Sequence, residues 1–179
     1  VLARAIKEGV SPVVLTARFL KSLSRSGFMW YPGLKFEWES KSGDIDVIAS
    51  CDRFLIFAEC KTLLKGAGEP SWDQILDQFK DTVEMAVHCK ANLVVLASLV
   101  DETPMDVLAK VERIVSSRLS CLVLSRKDLE RGYRNVSYNK NGDQVPMRID
   151  DVLKQNEVVA VKTELDETSA DSVESRQVV

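Results

Sequence analysis

The alternation of apolar and polar residues predicts two short strands joined by a tight turn within residues 43–61. Strand side chains point alternately to opposite faces of a sheet. On the first strand Asp46 therefore shares a face with Asp44, and on the second strand Glu59 shares a face with Lys61. If the two strands pair as a hairpin, Asp46 comes close to Glu59 and Lys61, and charged groups gather at one end of two otherwise apolar strands.

Before this hairpin the chain has the signals of a helix followed by strands. Ser11 and Pro12 form a typical helix start, with serine as N-cap and proline at the first helical position, and Gly27 is the expected stop. Residues 28–39 then have the composition of strands, with a bend predicted at Pro32 and Gly33.

After the hairpin, helices and strands alternate. Ser71 is predicted to cap a helix from Trp72 to about Cys89, and residues 92–100 form a nearly continuous apolar run, as in a strand covered on both faces. A helix from residue 103, a strand over 119–124 and two short helices near 125–131 and 147–155 complete the order. Alternation of this kind implies crossover connections, so the predicted class is α/β with a mixed sheet flanked by helices.

The size and composition fit one globular domain. The chain has 179 residues, of which 45% are hydrophobic and 28% are charged. We expect residues 1–160 to form a single domain and residues 161–179 to form an acidic, disordered tail, because that tail is polar and short of large apolar side chains. The four cysteines are widely spaced, which favours a reducing compartment, and we expect a cytoplasmic protein without a membrane segment.

Net charge gives little information, but its distribution gives more. The formal charge is −3, whereas residues 1–26 and 110–140 each carry an excess of basic side chains. Basic segments of this kind are compatible with binding phosphates, and they are equally compatible with ordinary solvated helix faces. Charge therefore permits a nucleic-acid partner without requiring one.

The carboxylates of the hairpin suggest metal chemistry. Gathering Asp46 and Glu59 in a partly buried place is unfavourable unless something neutralises them. Mg²⁺ is commonly held by one or two carboxylates plus water, and Lys61 could orient a metal-bound water or offset charge on a phosphate. An ion-paired sheet end, with Lys61 neutralising both acids and no metal present, explains the same residues.

Gly-Asp-Ile-Asp-Val-Ile-Ala at 43–49, followed by an apolar strand that ends in Glu-Cys-Lys at 59–61, resembles the PD-(D/E)XK nuclease superfamily. The most similar branch holds archaeal Holliday-junction resolvases, Mrr-type restriction endonucleases and CRISPR-associated accessory nucleases. The resemblance implies a restriction-endonuclease-like core and hydrolysis of DNA, or sometimes RNA, with Mg²⁺ or Mn²⁺. It covers roughly residues 11–124, and the proline of the motif is absent.

By that resemblance Asp46, Glu59 and Lys61 are the catalytic set, with Asp46 and Glu59 binding the metal. Many members carry a further acid on the first helix, but residues 13–25 contain no Asp or Glu. Glu39, Asp44 and the backbone carbonyl of Cys60 are therefore the candidates for completing the metal site. A glutamine on the helix after the motif lysine faces the active site in the Mrr-like branch, and Gln78 or Gln74 resembles it; two surface glutamines explain these positions as well.

The sequence thus predicts a Mg²⁺- or Mn²⁺-dependent endonuclease acting on nucleic acid, with DNA favoured over RNA and a homodimer as a candidate assembly. The alternative is a catalytically inactive module of the same fold that binds nucleic acid or a protein, and the missing helix acid motivates it.

Overall fold

A computed structural model describes residues 10–38, 41–62, 70–115, 119–130, 136–138, 144–154 and 158–160. In chain order the elements are α1 (Val10–Leu23), β1 (Phe28–Trp38), β2 (Lys41–Cys51), β3 (Phe54–Lys61), α2 (Trp72–His88), β4 (Leu93–Ser98), α3 (Met105–Val115), β5 (Ser120–Leu124), α4 (Arg126–Glu130), β6 (Val136–Tyr138), β7 (Gln144–Pro146), α5 (Ile149–Lys154) and β8 (Val158–Ala160).

The main sheet has six strands in the order β1-β2-β3-β4-β5-β8. The first three strands form an antiparallel meander, and β3, β4, β5 and β8 run parallel to one another. Strands β6 and β7 form a separate two-stranded hairpin. The predicted class, α/β with a mixed sheet flanked by helices, is confirmed.

Helices cover the two faces of this sheet with separate apolar clusters. On one face α1 packs Phe19, Leu20 and Leu23 against β2, β3 and β4. On the other face α2 and α3 pack against β4 and β5, with Phe79 and Val111 fully buried. All five residues of β5 and all six of β4 are buried, as expected for parallel strands that are covered on both faces.

Helix α2 begins as the sequence predicts. Ser71 is the N-cap, its hydroxyl accepts from the backbone N–H of Gln74, and the Gln74 side chain accepts from the backbone N–H of Ser71. This reciprocal pair is a capping box, which satisfies two of the helix's free N–H groups. Helix α1 differs slightly from the prediction, because it begins at Val10 and includes Ser11 and Pro12 in its first turn.

The turn between β2 and β3 is tied to the end of α1 by Asp52. Its carboxylate accepts from the backbone N–H groups of Arg25, Ser26 and Gly27 at 2.8–3.2 Å, and the Ser24 hydroxyl donates to it at 2.8 Å. Asp52 itself has a φ of 56°, in the left-handed region that aspartate tolerates better than most residues. These bonds fix where α1 ends relative to the β2–β3 hairpin.

We expect Asp52→Ala to lower the melting temperature by about 5 °C, since it leaves three loop N–H groups without their acceptor. Those N–H groups hold the pKa of Asp52 below its ordinary value of 3.8. Asp52 therefore stabilises the fold above pH about 4, and this contribution is lost as acid protonates the carboxylate. Thermal melts from pH 7 down to pH 3 test this. Asp73→Ala is the control, because it removes only an exposed ion pair with Lys110. Its melting temperature should be almost that of the parent. Equal falls in melting temperature in both variants would contradict the role of Asp52.

Some predictions lie outside the described residues, including Glu39 and the tail 161–179. Across the described ranges, no helix combines the length and the apolar character needed to cross a bilayer.

The four cysteines are free, and His88 stacks on Trp38 with 4.1 Å between ring centroids.

Candidate active site

The first acid of the site, Asp46, lies where strands β2 and β3 part. The ladder between them runs from Cys51–Phe54 to Val47–Ala58 and ends there. One residue further, the Asp46 carboxylate accepts from the backbone N–H of Cys60 at 2.7 Å. A side-chain oxygen thus takes the place of a backbone carbonyl, which leaves the partly buried carboxylate anchored beside β3.

The β1–β2 hairpin also twists at this level. Val47 packs in the cluster on the α1 side, whereas Ile45, two residues earlier, packs with Phe57 on the α2 side. On β1 the matching position is Gly33, which lies between the pairs Pro32–Val47 and Leu34–Ile45. Gly33 has a φ of +64°, a conformation that glycine adopts without strain. The simple alternation predicted for β2 is therefore wrong at Ile45.

Glu59 is the buried acid of the site. Its side chain is 5% exposed, and its carboxylate lies 2.6 Å from the Nζ atom of Lys61. The second carboxylate oxygen accepts from the hydroxyl of Thr82 on α2 at 3.0 Å. Lys61 is 20% exposed, so the pair lies at the boundary between the core and solvent.

The electrostatics show that the three charged groups act on one another. Burial raises the pKa of Glu59, and the charge of Asp46 raises it further, while Lys61 opposes both effects. Burial also raises the pKa of Asp46, opposed by the Cys60 N–H and by Lys61. The pKa of Lys61 is raised because attraction to Glu59 and Asp46 outweighs its burial. The two desolvated carboxylates and the ammonium therefore form one electrostatically coupled group.

The site lies at the carboxyl ends of the parallel strands β3 and β4. Lys61, the last residue of β3, pairs with Ser98, the last residue of β4, and Glu59 pairs with Leu96. Ser98 is 1% exposed, and its hydroxyl has no hydrogen-bond partner within the described part of the chain. The Thr62 hydroxyl oxygen is also buried and has no hydrogen-bond partner among the described residues. Carboxyl ends of parallel strands are the usual position of ligand sites in α/β sheets.

Asp44 lies outside this buried group. Its side chain is exposed, and its Cα partner on β1 is Lys35. Asp44 also lines an open groove of about 560 Å³ along the β1–β2 hairpin. The groove is also lined by Phe36, Glu37, Ser42 and Gly43. Asp44 nevertheless affects both Asp46 and Lys61 electrostatically, raising the pKa of each.

The other predicted site residues have different positions. The thiol of Cys60 points to the α1 side, where it donates to the Thr16 hydroxyl at 3.5 Å, and burial raises the pKa of this thiol strongly. Gln74 is engaged in the capping box. Gln78 has an exposed side chain, and its backbone carbonyl accepts from Thr82 at 3.4 Å.

Sequence reasoning missed two polar residues that the structure brings to the site, Thr82 and Ser98. Thr82 lies on the buried stripe of α2, between Phe79 and Met85, where an apolar residue is expected. Ser98 ends an apolar strand, where a serine is easily taken for the start of a loop. In both cases a polar residue at a core position was the available signal.

The residues present fit a hard divalent cation. Asp46 and Glu59 supply two desolvated carboxylates, and Mg²⁺ is often held by that number with water as the remaining ligands. Within the described ranges, no cluster of three or more His, Cys, Asp or Glu side chains is suited to hold a metal. Water and substrate oxygens would therefore have to complete the coordination.

Comparisons with known proteins give no match: no family model, no curated protein and no solved structure aligns with this chain. The structure defines an α/β fold with a mixed sheet flanked by helices, and the resemblance to the nuclease superfamily depends on the residues of the 43–61 hairpin.

Proposed function

We propose that this protein is a metal-dependent nuclease that hydrolyses phosphodiester bonds in nucleic acid. The observation that carries the proposal is the convergence of Asp46, Glu59 and Lys61 at the ends of β2 and β3, with burial raising the pKa of both acids. Two acids held in such surroundings gain from a cation that offsets their repulsion.

In this function Asp46 and Glu59 would hold Mg²⁺ or Mn²⁺, and the cation would supply an activated water and offset charge on the phosphate. The Cys60 N–H orients Asp46, and the Thr82 hydroxyl orients Glu59. Lys61 carries its positive charge next to Glu59, where it can position the attacking water or stabilise the charge that develops on the phosphate.

The edge strand β1 offers groups suited to a polynucleotide. On the edge strand β1, Tyr31 is 61% exposed and lies opposite Ile48, and Lys35 lies opposite Asp44. Exposed aromatic rings can stack on bases, and lysine can contact phosphates. DNA is favoured over RNA only through the resemblance, and the same holds for a homodimer.

A non-cutting module is the second candidate. Helix α1 has no acid in its first turn, and residues 13–25 contain no Asp or Glu, although the resemblance implies a further acid on this helix. The bonds of Glu59 to Lys61 and Thr82 are also complete without a metal. Cleavage assays with Mn²⁺ on single-stranded, duplex and branched DNA and RNA separate the two candidates.

Metal binding tests the site directly. We expect Asp46→Asn to weaken Mn²⁺ binding by more than about 100-fold. Removing a residue that only orients a metal ligand typically costs about 10- to 100-fold, so a larger loss indicates a direct ligand. Calorimetry and Mn²⁺ electron paramagnetic resonance measure the affinity without depending on cleavage.

Asp77→Asn, at an exposed position of α2, is the matched control and should bind Mn²⁺ as the parent does. Asp44→Asn is a third arm, in which a loss as large as that of Asp46→Asn would make Asp44 a metal ligand. Equal Mn²⁺ affinity in the parent and Asp46→Asn would overturn the proposed metal site.

A further inference from the structure

Ser98 is the most unusual polar residue in the described core. It is 1% exposed, and its Oγ atom has no hydrogen-bond partner among the described residues. The strand alternates strictly: Leu93, Val95 and Ala97 face the α1 side, and Val94 and Leu96 face the α2 side. Ser98 continues the second series, so its side chain projects from the face that carries Glu59 and Lys61.

A buried hydroxyl without a partner is unfavourable, and natural cores contain few of them. An alanine at position 98 would fill nearly the same space without this cost. The position therefore indicates a partner that the hydroxyl meets in another state of the site. The Cα partner of Ser98 in the β3–β4 ladder is Lys61, and paired residues of parallel strands project to the same face.

Lys61 has a reason to change partners. Its ammonium carries three N–H donors, and in the structure its Nζ atom lies 2.6 Å from Glu59. A divalent cation held by Asp46 and Glu59 would compete for the Glu59 carboxylate and weaken this ion pair. The ammonium then needs another acceptor that keeps it next to the carboxylates.

We propose that Ser98 is a positioning residue for Lys61: when Glu59 binds the cation, the Ser98 hydroxyl accepts a hydrogen bond from the Lys61 ammonium and holds it towards the reacting phosphate. This role rests on the proposed function. In the structure Glu59 holds the lysine, and the Ser98 hydroxyl is free to accept within the described residues.

The test compares Ser98→Ala, which removes the acceptor, with Ser98→Thr, which keeps it. For Ser98→Ala we expect kcat of Mn²⁺-dependent cleavage to fall about 10- to 100-fold, with KM and Mn²⁺ affinity within about twofold of the parent. Its melting temperature should equal or exceed that of the parent, because an unpaired buried hydroxyl is lost. Ser98→Thr should recover most of the lost kcat.

Thr62→Val is the matched control, because it removes the other unpaired buried hydroxyl, at the residue that follows Lys61. By alternation its side chain projects from the opposite face, and we expect kcat to stay at the parental value. A readout that does not depend on cleavage is the ¹H–¹⁵N signal of the Lys61 ammonium in the presence of Mg²⁺. It should be observable in the parent and Ser98→Thr, and broadened by exchange with water in Ser98→Ala.

Parental kcat and an unchanged ammonium signal in Ser98→Ala would overturn the role of Ser98 and leave the proposed function intact. A fall in kcat that Ser98→Thr does not restore, or an equal fall in Thr62→Val, would also overturn it. A parent protein that neither binds Mn²⁺ nor cleaves any polynucleotide would overturn the proposed function and this role together.

Discussion

Lys61→Met is expected to reduce Mn²⁺-dependent cleavage about 10³-fold, within the range that a positioned proton-transfer or charge-stabilising group contributes. Methionine keeps most of the length of the lysine side chain and removes its charge. Within the described residues, the Lys61 ammonium is the one positive group in contact with Glu59, so methionine leaves the developing phosphate charge without this partner. Single-turnover cleavage of the best substrate from the Mn²⁺ screen measures the effect on the chemical step.

Lys80→Met is the matched control, since Lys80 is exposed on α2 and the same chemical change there should leave the rate at the parental value. Because Lys61→Met also removes the partner of a buried acid, circular dichroism at the assay temperature must show that the variant is folded. Parental cleavage by folded Lys61→Met would remove Lys61 from the mechanism. It would favour the reading of Glu59 and Lys61 as a purely structural ion pair.

Much of the fold follows from local signals in the sequence. Ser71 caps α2 because its side chain and that of Gln74 satisfy each other's backbone N–H groups, and this needs only four consecutive residues. The apolar run that becomes β4 is recognisable because both of its faces are covered. The convergence of Asp46, Glu59 and Lys61 likewise followed from period-two alternation and one assumed pairing.

Other features depend on contacts between distant residues. The side chains of β2 change face between Val47 and Ile45, next to the end of the β2–β3 ladder, where the Asp46 side chain accepts from the Cys60 N–H. No local pattern signals that exchange. Strand β8 has three residues and pairs with β5 only after the chain returns to the sheet edge. Short strands of this kind have too few residues for periodicity to identify them.

The residues of the site likewise divide into those that local sequence signals predict and those that depend on contacts between distant residues. The two acids and the lysine belong to one predicted hairpin, so their proximity could be predicted. Thr82, in contrast, reaches Glu59 from a helix that begins eleven residues after β3. The resemblance suggested Gln78 or Gln74 on that helix, with two surface glutamines as the alternative, whereas in the structure Thr82 is the direct partner of the acid. The parallel pairing of Lys61 with Ser98 requires the β3–β4 crossover, which is a property of the topology.

The stability of the charged pair gives the last prediction, measured in EDTA by urea unfolding at pH 7. Lys61→Met leaves the 5% exposed Glu59 without its cation and should lower the free energy of unfolding by about 3 kcal/mol. Glu59→Gln should lower it by about 1 kcal/mol, because the 20% exposed lysine can still reach water. The double variant should be within about 1 kcal/mol of the parent, since replacing both partners of a buried pair is often neutral.

The pH dependence of the single variant has a definite sign. Burial raises the pKa of Glu59 above its ordinary value of 4.5, and removing Lys61, which opposes that shift, raises it further. The folded state of Lys61→Met then binds more protons than the unfolded state between the two pKa values, so its stability increases as the pH falls from 7 towards 5. The double variant has no carboxylate at position 59, so it should lack this increase. Additive losses in the double variant, together with a flat pH profile for Lys61→Met, would show that the two side chains are uncoupled and that Glu59 does not depend on a positive partner.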